Sequence, residues 1–316
     1  MTIILRSCLA GAPRLAAAAA LLAVTMTAAC GEHASRPEHL AQGLALAHGA
    51  PIKVFNAAGH VRLTAWDRDS LHISGDVGHG ESFFLMGDAH GVKLGIMSAA
   101  PSRSMSPSTL VMFVPRSSTV AVKGASTELS ADGVSGYFYT VSGAIRLTGR
   151  LRTIQAETMS GPISINGVVP WVRARSASGP IVIGGSVDDA AAATVTGDIA
   201  LEAPPDGRTR AETMSGRVTV NAARALRGTL DVDTHSGDVV VIVPRTRIGL
   251  DIERVRPPSP TSNTNGTPHA EHATDDVTAT FIKGSPDQPR VRVTTFDGGV
   301  RIRHAADSIS HHVVEP

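Results

Sequence analysis

The chain has 316 residues, with 29 Lys and Arg against 28 Asp and Glu, and no long basic run, so nucleic acid is excluded as an expected partner. Hydrophobic residues make up 42% and aromatics only 3%, alongside 31 Gly and 19 Pro. A core without aromatics must use small and β-branched side chains, which suits thin repetitive structure better than a large irregular globule.

The N-terminus reads as an export signal over residues 1–29. Arg6 and Arg14 supply the positive end, and residues 15–25 form an apolar run too short to span a bilayer. Thr27-Ala28-Ala29 then offers the small side chains a signal peptidase needs. Removal leaves 27 bases against 28 acids, because both lost charges are arginines. Cys8 would leave with the signal, so Cys30 would be the one cysteine of the mature chain and has no disulfide partner within it. The small-residue pair before Cys30 resembles a bacterial lipoprotein signal, which implies lipidation at Cys30. Thr27 stands where such signals usually carry Leu. Acyl chains would anchor the chain, since each buried CH₂ contributes about 0.8 kcal/mol. Gly31, where Asp would signal inner-membrane retention, favours the outer membrane of a Gram-negative cell.

Residues 30–50 are small, polar and unpatterned and are expected to be a flexible tether. From Pro51 the pattern is strand-like: Ile52–Phe55 and Val61–Leu63 alternate around Gly59, and Leu71–Ile73 and Leu110–Val114 follow. Residues 51–126 are therefore expected to be an N-terminal β region, a cap on the same domain. No sustained helical period appears after residue 51.

A repeat then takes over. Corner glycines recur at Gly143, Gly161, Gly179, Gly197, Gly216 and Gly237, at spacings of 18, 18, 18, 19 and 21 residues, and again at Gly298. Two residues after each stand Ile145, Ile163, Ile181, Ile199, Val218, Val239 and Val300; four after, every residue is again aliphatic. The residue between is mixed, which is the period of a strand with one face buried. Five residues before each glycine the side chain is Phe138, then Ala or Val. Three before, it is Thr or Ser, and a stacked ladder of hydroxyls can satisfy itself there. A second glycine column, Gly149, Gly167 and Gly185, fits a second corner. An 18-residue unit with two short strands cannot bury its apolar face alone. Stacked at ~4.8 Å, such units share one narrow core. Residues 127–304 are read as a parallel β-solenoid with a disordered insertion at 257–276 and a tail at 305–316. The stretch between Gly237 and Gly298 has room for two repeat lengths, one lacking its glycine near Gly249.

The segments VSGAIRL, MSGPISI, MSGRVTV and HSGDVVV, closed by VRVTTFDGGVRIR, resemble the bacterial putative-adhesin, or toast-rack, β-solenoid family. IKVFNAAGHVRLTAW and VMFVPRSSTVAV resemble its opening strands. The resemblance spans most of residues 51–304. It implies an all-β solenoid on a bacterial envelope and a role in adhesion or envelope-stress sensing, with no catalytic residues.

The residues themselves support no chemistry. The outward acids are Glu157, Glu212 and Asp233. Glu157 and Glu212 would stand three rungs apart, about 14 Å, too far for a glycosidase pair. Glu212 and Asp233 would be neighbouring, repelling acids on a solvated ladder, and Glu157 would pair with Arg175 at the surface. His269, Glu271, His272, His304, His311 and His312 fall in polar or terminal segments, and no metal is expected. Gly184-Gly185 lacks the continuation of a calcium repeat, and no phosphate loop precedes a helix. No cofactor is implied. Tyr139, Met159, Trp171, Arg173 and Arg175 are outward positions that offer a binding surface, although scarce aromatics argue against extensive sugar stacking. The expected protein is a non-enzymatic, membrane-anchored envelope lipoprotein that adheres, binds or scaffolds, with an envelope protein or a polysaccharide as its ligand. The alternatives are a stress regulator acting through a membrane partner and, behind it, a divergent polysaccharide enzyme.

Overall fold

Alternating aliphatic residues broken by glycine leave the backbone one way to bury its apolar side, which is to pair strand against strand. A computed structural model describes residues 38–98, 106–202, 207–223, 227–244, 249–254 and 289–304. The chain divides into two units, residues 1–35 and 36–316, and every described residue lies in the second. The expected signal over residues 1–29, Cys30, the expected insertion at 257–276 and the expected tail at 305–316 lie outside the described residues.

The chain opens with β1 (Glu38–Ala45), β2 (Ile52–Trp66), β3 (Ser70–Val77), β4 (Glu81–Asp88), β5 (Gly91–Ser98) and β6 (Ser108–Pro115). The long β7 (Thr119–Asp132) leads into β8 (Ser135–Thr140), β9 (Ile145–Arg150), β10 (Thr153–Thr158), β11 (Ile163–Ser176) and β12 (Ile181–Thr194). Then come β13 (Ile199–Leu201), β14 (Arg208–Thr213), β15 (Val218–Asn221), β16 (Thr229–Thr234), β17 (Val239–Val243), β18 (Gly249–Arg254), β19 (Arg290–Thr295) and β20 (Val300–His304).

The stack is parallel and in register. Ile145, Ile163, Ile181 and Ile199 lie side by side, and Val218, Val239 and Val300 continue the line. On the other half of each coil, Phe138, Ala156, Ala174, Ala192, Ala211, Val232 and Val293 form the matching column. Nearly all of these residues are fully buried. Each coil thus gives one strand to each of two faces, and the inward columns of both make one continuous core. β2, β7, β11 and β12 bend through a corner, so each serves both faces.

Four expectations need correction. The expected tether over 30–50 contains a strand from Glu38 to Ala45: β1 pairs antiparallel with β3, and Leu40 and the following Leu46 are buried. An edge strand with unpaired amides and apolar neighbours recruits any alternating segment within reach. The boundary at 126/127 falls inside β7, and β2 already pairs with β7 in parallel register from Ile52↔Val120 to Thr64↔Asp132. Parallel coiling therefore begins at β2; only β1, β3 and β4 join antiparallel. The repeat near Gly249 exists as a strand but sits out of order: β19 pairs with both β16 and β18, so β18 lies outside the coil that follows it in sequence. The hydroxyl column, finally, does not bond to itself, as the corner geometry shows.

At each Ser-Gly corner the buried Thr or Ser accepts the corner amide. Gly143 N donates to Thr140 Oγ1 at 3.2 Å, and the same bond recurs at Gly161–Thr158, Gly179–Ser176, Gly197–Thr194, Gly216–Thr213, Gly237–Thr234 and Gly298–Thr295. In return several of the hydroxyls donate to a carbonyl of the coil beneath, as Thr140 does to Ala125 O at 2.9 Å. A hydroxyl that both accepts and donates satisfies two buried backbone groups, which a Thr–Thr bond would leave unpaired. The corner glycines are demanded by crowding. A Cβ at Gly179 would lie 2.0 Å from Gly161 O, and one at Gly216 1.8 Å from Gly197 O. At the second corner Gly149 and Gly185 instead take φ of 89° and 91°, the left-handed region.

Candidate binding surface

Because the inward columns are uniform, the variable side chains all point outward. The face carrying β8, β10 and the second half of β11 collects much of the chain's unusual chemistry. Parallel register sets Tyr137 beside Gln155 and Gln155 beside Arg173; it sets Tyr139 beside Glu157 and Glu157 beside Arg175. Trp171 follows Thr153 on the same side. Alternation along each strand brings Trp171, Arg173 and Arg175 out together, while Val172 and Ala174 point in and are fully buried.

Glu157 is held within this face. Tyr137 Oη donates to its Oε2 at 3.0 Å and Gln155 Nε2 to its Oε1 at 2.8 Å. Both carboxylate oxygens are thereby engaged, and the expected Glu157–Arg175 pair is replaced by these bonds. Partial burial, reinforced by the hydrogen bond and negative charge of Glu157, pushes the Tyr137 phenol up to about 12. Tyr137 therefore stays protonated, a donor, through the neutral range. Its contribution to stability is present below the unfolded value near 10 and is lost as pH rises toward 12.

Further along the same face the charges pair off. Glu212 and Asp233 are neighbours in register, as expected, but Arg210 bridges both: Nε meets Glu212 Oε1, and Nη2 reaches Asp233 Oδ2 at 3.3 Å. Shared attraction replaces the expected repulsion. Arg208 faces Asp231 at 3.8 Å and Arg292 meets Asp251 at 3.2 Å. These exposed pairs contribute little to stability, about 0–1 kcal/mol each. Their effect is to leave few unspent charges on that half.

Met159 does not join the arginines. It lies at the first corner, 53% exposed, between Val141 and Ala177, and Val195 and Met214 extend the same exposed column. That column ends in His235 and Phe296, stacked 4.8 Å apart. At the far end of the other face, Arg217, Thr219, Asp238, Val240, Arg301 and Arg303 line an open depression of about 280 Å³. Among the described residues no three His, Cys, Asp or Glu side chains come close enough to hold a metal ion. Of the histidines singled out above, His304 is exposed at the end of β20, and His269, His272, His311 and His312, with Glu271, lie outside the described residues. Sequence reasoning missed Tyr137 and Gln155. Their signal was the same outward parity as Tyr139 and Glu157, two residues earlier in each strand.

A family model described as Toastrack DUF4097 matches residues 54–303. Among solved structures, a putative adhesin from Parabacteroides merdae is similar at 8% identity, covering 85% of this chain and 97% of that one, with a TM-score of 0.48. Putative adhesins from Parabacteroides distasonis and Bacteroides fragilis are each 11% identical over 85% of this chain, covering 98% and 97% of their own, with TM-scores of 0.45 and 0.42. No curated protein matches the chain.

Proposed function

The chain belongs to the Toastrack DUF4097 family, and from that premise we propose that it is a non-enzymatic cell-envelope lipoprotein whose coil stack serves adhesion and binding. One observation carries the reading. The inward columns keep one kind of side chain from coil to coil, aliphatic or small except for Phe138 and hydroxyl at the corner, whereas the outward column runs Tyr139, Glu157, Arg175, Ala193, Glu212, Asp233 and Thr294. A rigid frame that varies only where a partner can touch it is the arrangement of a recognition surface. The acids of that column are engaged with Tyr137, Gln155 and Arg210, an arrangement that suits a static surface. A general acid needs a carboxyl free to exchange its proton.

The anchor in this reading is lipid at Cys30, placed after the apolar run and the Ala28-Ala29 pair. Cys30→Ala should move the protein from the membrane to the soluble fraction and abolish incorporation of labelled palmitate. A variant that stays with the membrane would sink the lipid anchor. Protease added to intact cells should digest the protein if the stack faces outward; full protection would turn the reading toward an inward-facing regulator.

A further inference from the structure

We propose that the face formed by β8, β10 and the second half of β11 binds an acidic polysaccharide, with Arg173 and Arg175 holding its carboxylates and Trp171 packing on a sugar ring. This rests on the binding role above and names the ligand class.

The arginines carry the inference. On the same face, Arg208, Arg210 and Arg292 each meet an acid. Among the described residues Arg173 and Arg175 meet none. The acid in register with Arg175 is Glu157, and both of its oxygens already accept from Tyr137 and Gln155. On their other side Arg173 and Arg175 border Ala191 and Ala193, whose methyl groups offer no acceptor, and the acid beside Trp171, Asp189, accepts the Arg208 amide at 2.8 Å. Two forked donors stand beside a strip of two alanines, with Arg210 and Glu212 on the strand beyond. Guanidinium matches a carboxylate through two parallel hydrogen bonds, which is how such a pair would recognise an acidic sugar.

Trp171 supplies the second, independent observation. The chain has two tryptophans. Trp66 is used internally: its ring stacks on Phe113 at 5.3 Å and its Nε1–H donates to Ser70 O at 2.7 Å. Trp171 is 39% exposed on its strand, and its indole makes no hydrogen bond or ring contact among the described residues. An exposed indole offers an apolar plate with a polar tip, which fits the apolar side of a pyranose. It stands two residues before Arg173 and four before Arg175, so plate and forks follow one line at steps of roughly 6.6 Å. A polymer that carries ring after ring, each with an acid, can meet all three. Both tyrosines of the chain stand on β8, two strands from the arginines, where Tyr137 is already bonded to Glu157. A membrane surface or nucleic acid would call for a broad basic field, whereas here Glu157 stands beside Arg175 and Asp189 beside Trp171.

The test uses the full chain in detergent, with polygalacturonate, neutral dextran and polyphosphate as probes in calorimetry. Polygalacturonate should bind, and dextran should not. Arg173→Gln/Arg175→Gln should weaken polygalacturonate at least about tenfold. Trp171→Ala should weaken it about threefold or more. Arg303→Gln, at the far end, should change nothing. Each substitution is at the surface, and an unchanged thermal midpoint shows that the fold persists. Silence toward polygalacturonate, or the same affinity in the double variant, would overturn the assignment. Equal binding of polyphosphate would also overturn it, by reducing the site to a general anion patch. If this fails while Cys30→Ala still releases the protein from membranes, the envelope-anchor reading stands and only the ligand is wrong.

Discussion

The coil of β7 and the coils stacked after it build the same corner from the same two residues in opposite places. In the regular coils the order is Thr158-Met159-Ser160-Gly161: the hydroxyl comes first and the bare Cα sits at the corner. In β7 the order is Gly124-Ala125-Ser126-Thr127. Thr127 stands in register with Gly59 at the corner, and its hydroxyl bonds Asn56 O. Gly124 leaves the room that Thr127 fills, since a Cβ there would lie 2.6 Å from the Thr127 Cβ. The first coil differs again, with Asn56 buried in the hydroxyl column and its side-chain amide without a partner among the described residues. From β7 onward a corner therefore combines one small hydroxyl with one missing side chain, while the first coil puts Asn56 in the hydroxyl's place. Which residue gives which is decided by the coil on either side.

Three experiments press on this difference. The largest effect is expected in the regular coils, at Gly179→Val. Its new Cβ would sit 2.0 Å from Gly161 O in a stack that cannot open without parting its strands. The loss should be about 3 kcal/mol or more in denaturant unfolding. A loss below about 1 kcal/mol would mean the corner can relax, and the crowding argument would go. Next comes the exchange itself. Gly124→Thr and Thr127→Gly should each cost about 2 kcal/mol, the first by overlap and the second by a hole and an unpaired carbonyl. Together they recreate the regular order and should cost less than either alone, a coupling of more than about 2 kcal/mol. Simple additivity would show that the two positions do not share one volume. The smallest effect is expected for Thr213→Val, which keeps the shape but strands the Gly216 amide, at about 1–2 kcal/mol. Thr213→Ser should be close to neutral, because Ser176 does the same work two coils away. If Ser costs as much as Val, methyl packing and not the hydroxyl holds the corner.

The repeat was legible because coil and column carry the same message. Ile145, Ile163 and Ile181 announce a spacing of 18 residues, and the strands pair at that offset. The outward face was legible only in part. Parity placed Arg173 and Arg175 outside, but which acid each arginine meets depends on side-chain reach across strands, and Tyr137 and Gln155 took Glu157 before Arg175 could. β1 escaped notice because its Leu40 and Leu44, and Leu46 just after it, sit among small and polar residues. Only the waiting edge of β3 gives that faint pattern a partner.

The sequence by itself determined the coil: strands, corners, inward columns and their register. Each of these is repeated locally, and each copy buries the same face. The order in which the last strands stack was decided by tertiary structure. So were the destination of each buried hydroxyl and the contrast between paired and unpaired arginines. All of these depend on which strand lies a few ångströms away, and β18 lies outside β19 although it precedes it in the chain. Distance along the chain does not encode that neighbour; packing does.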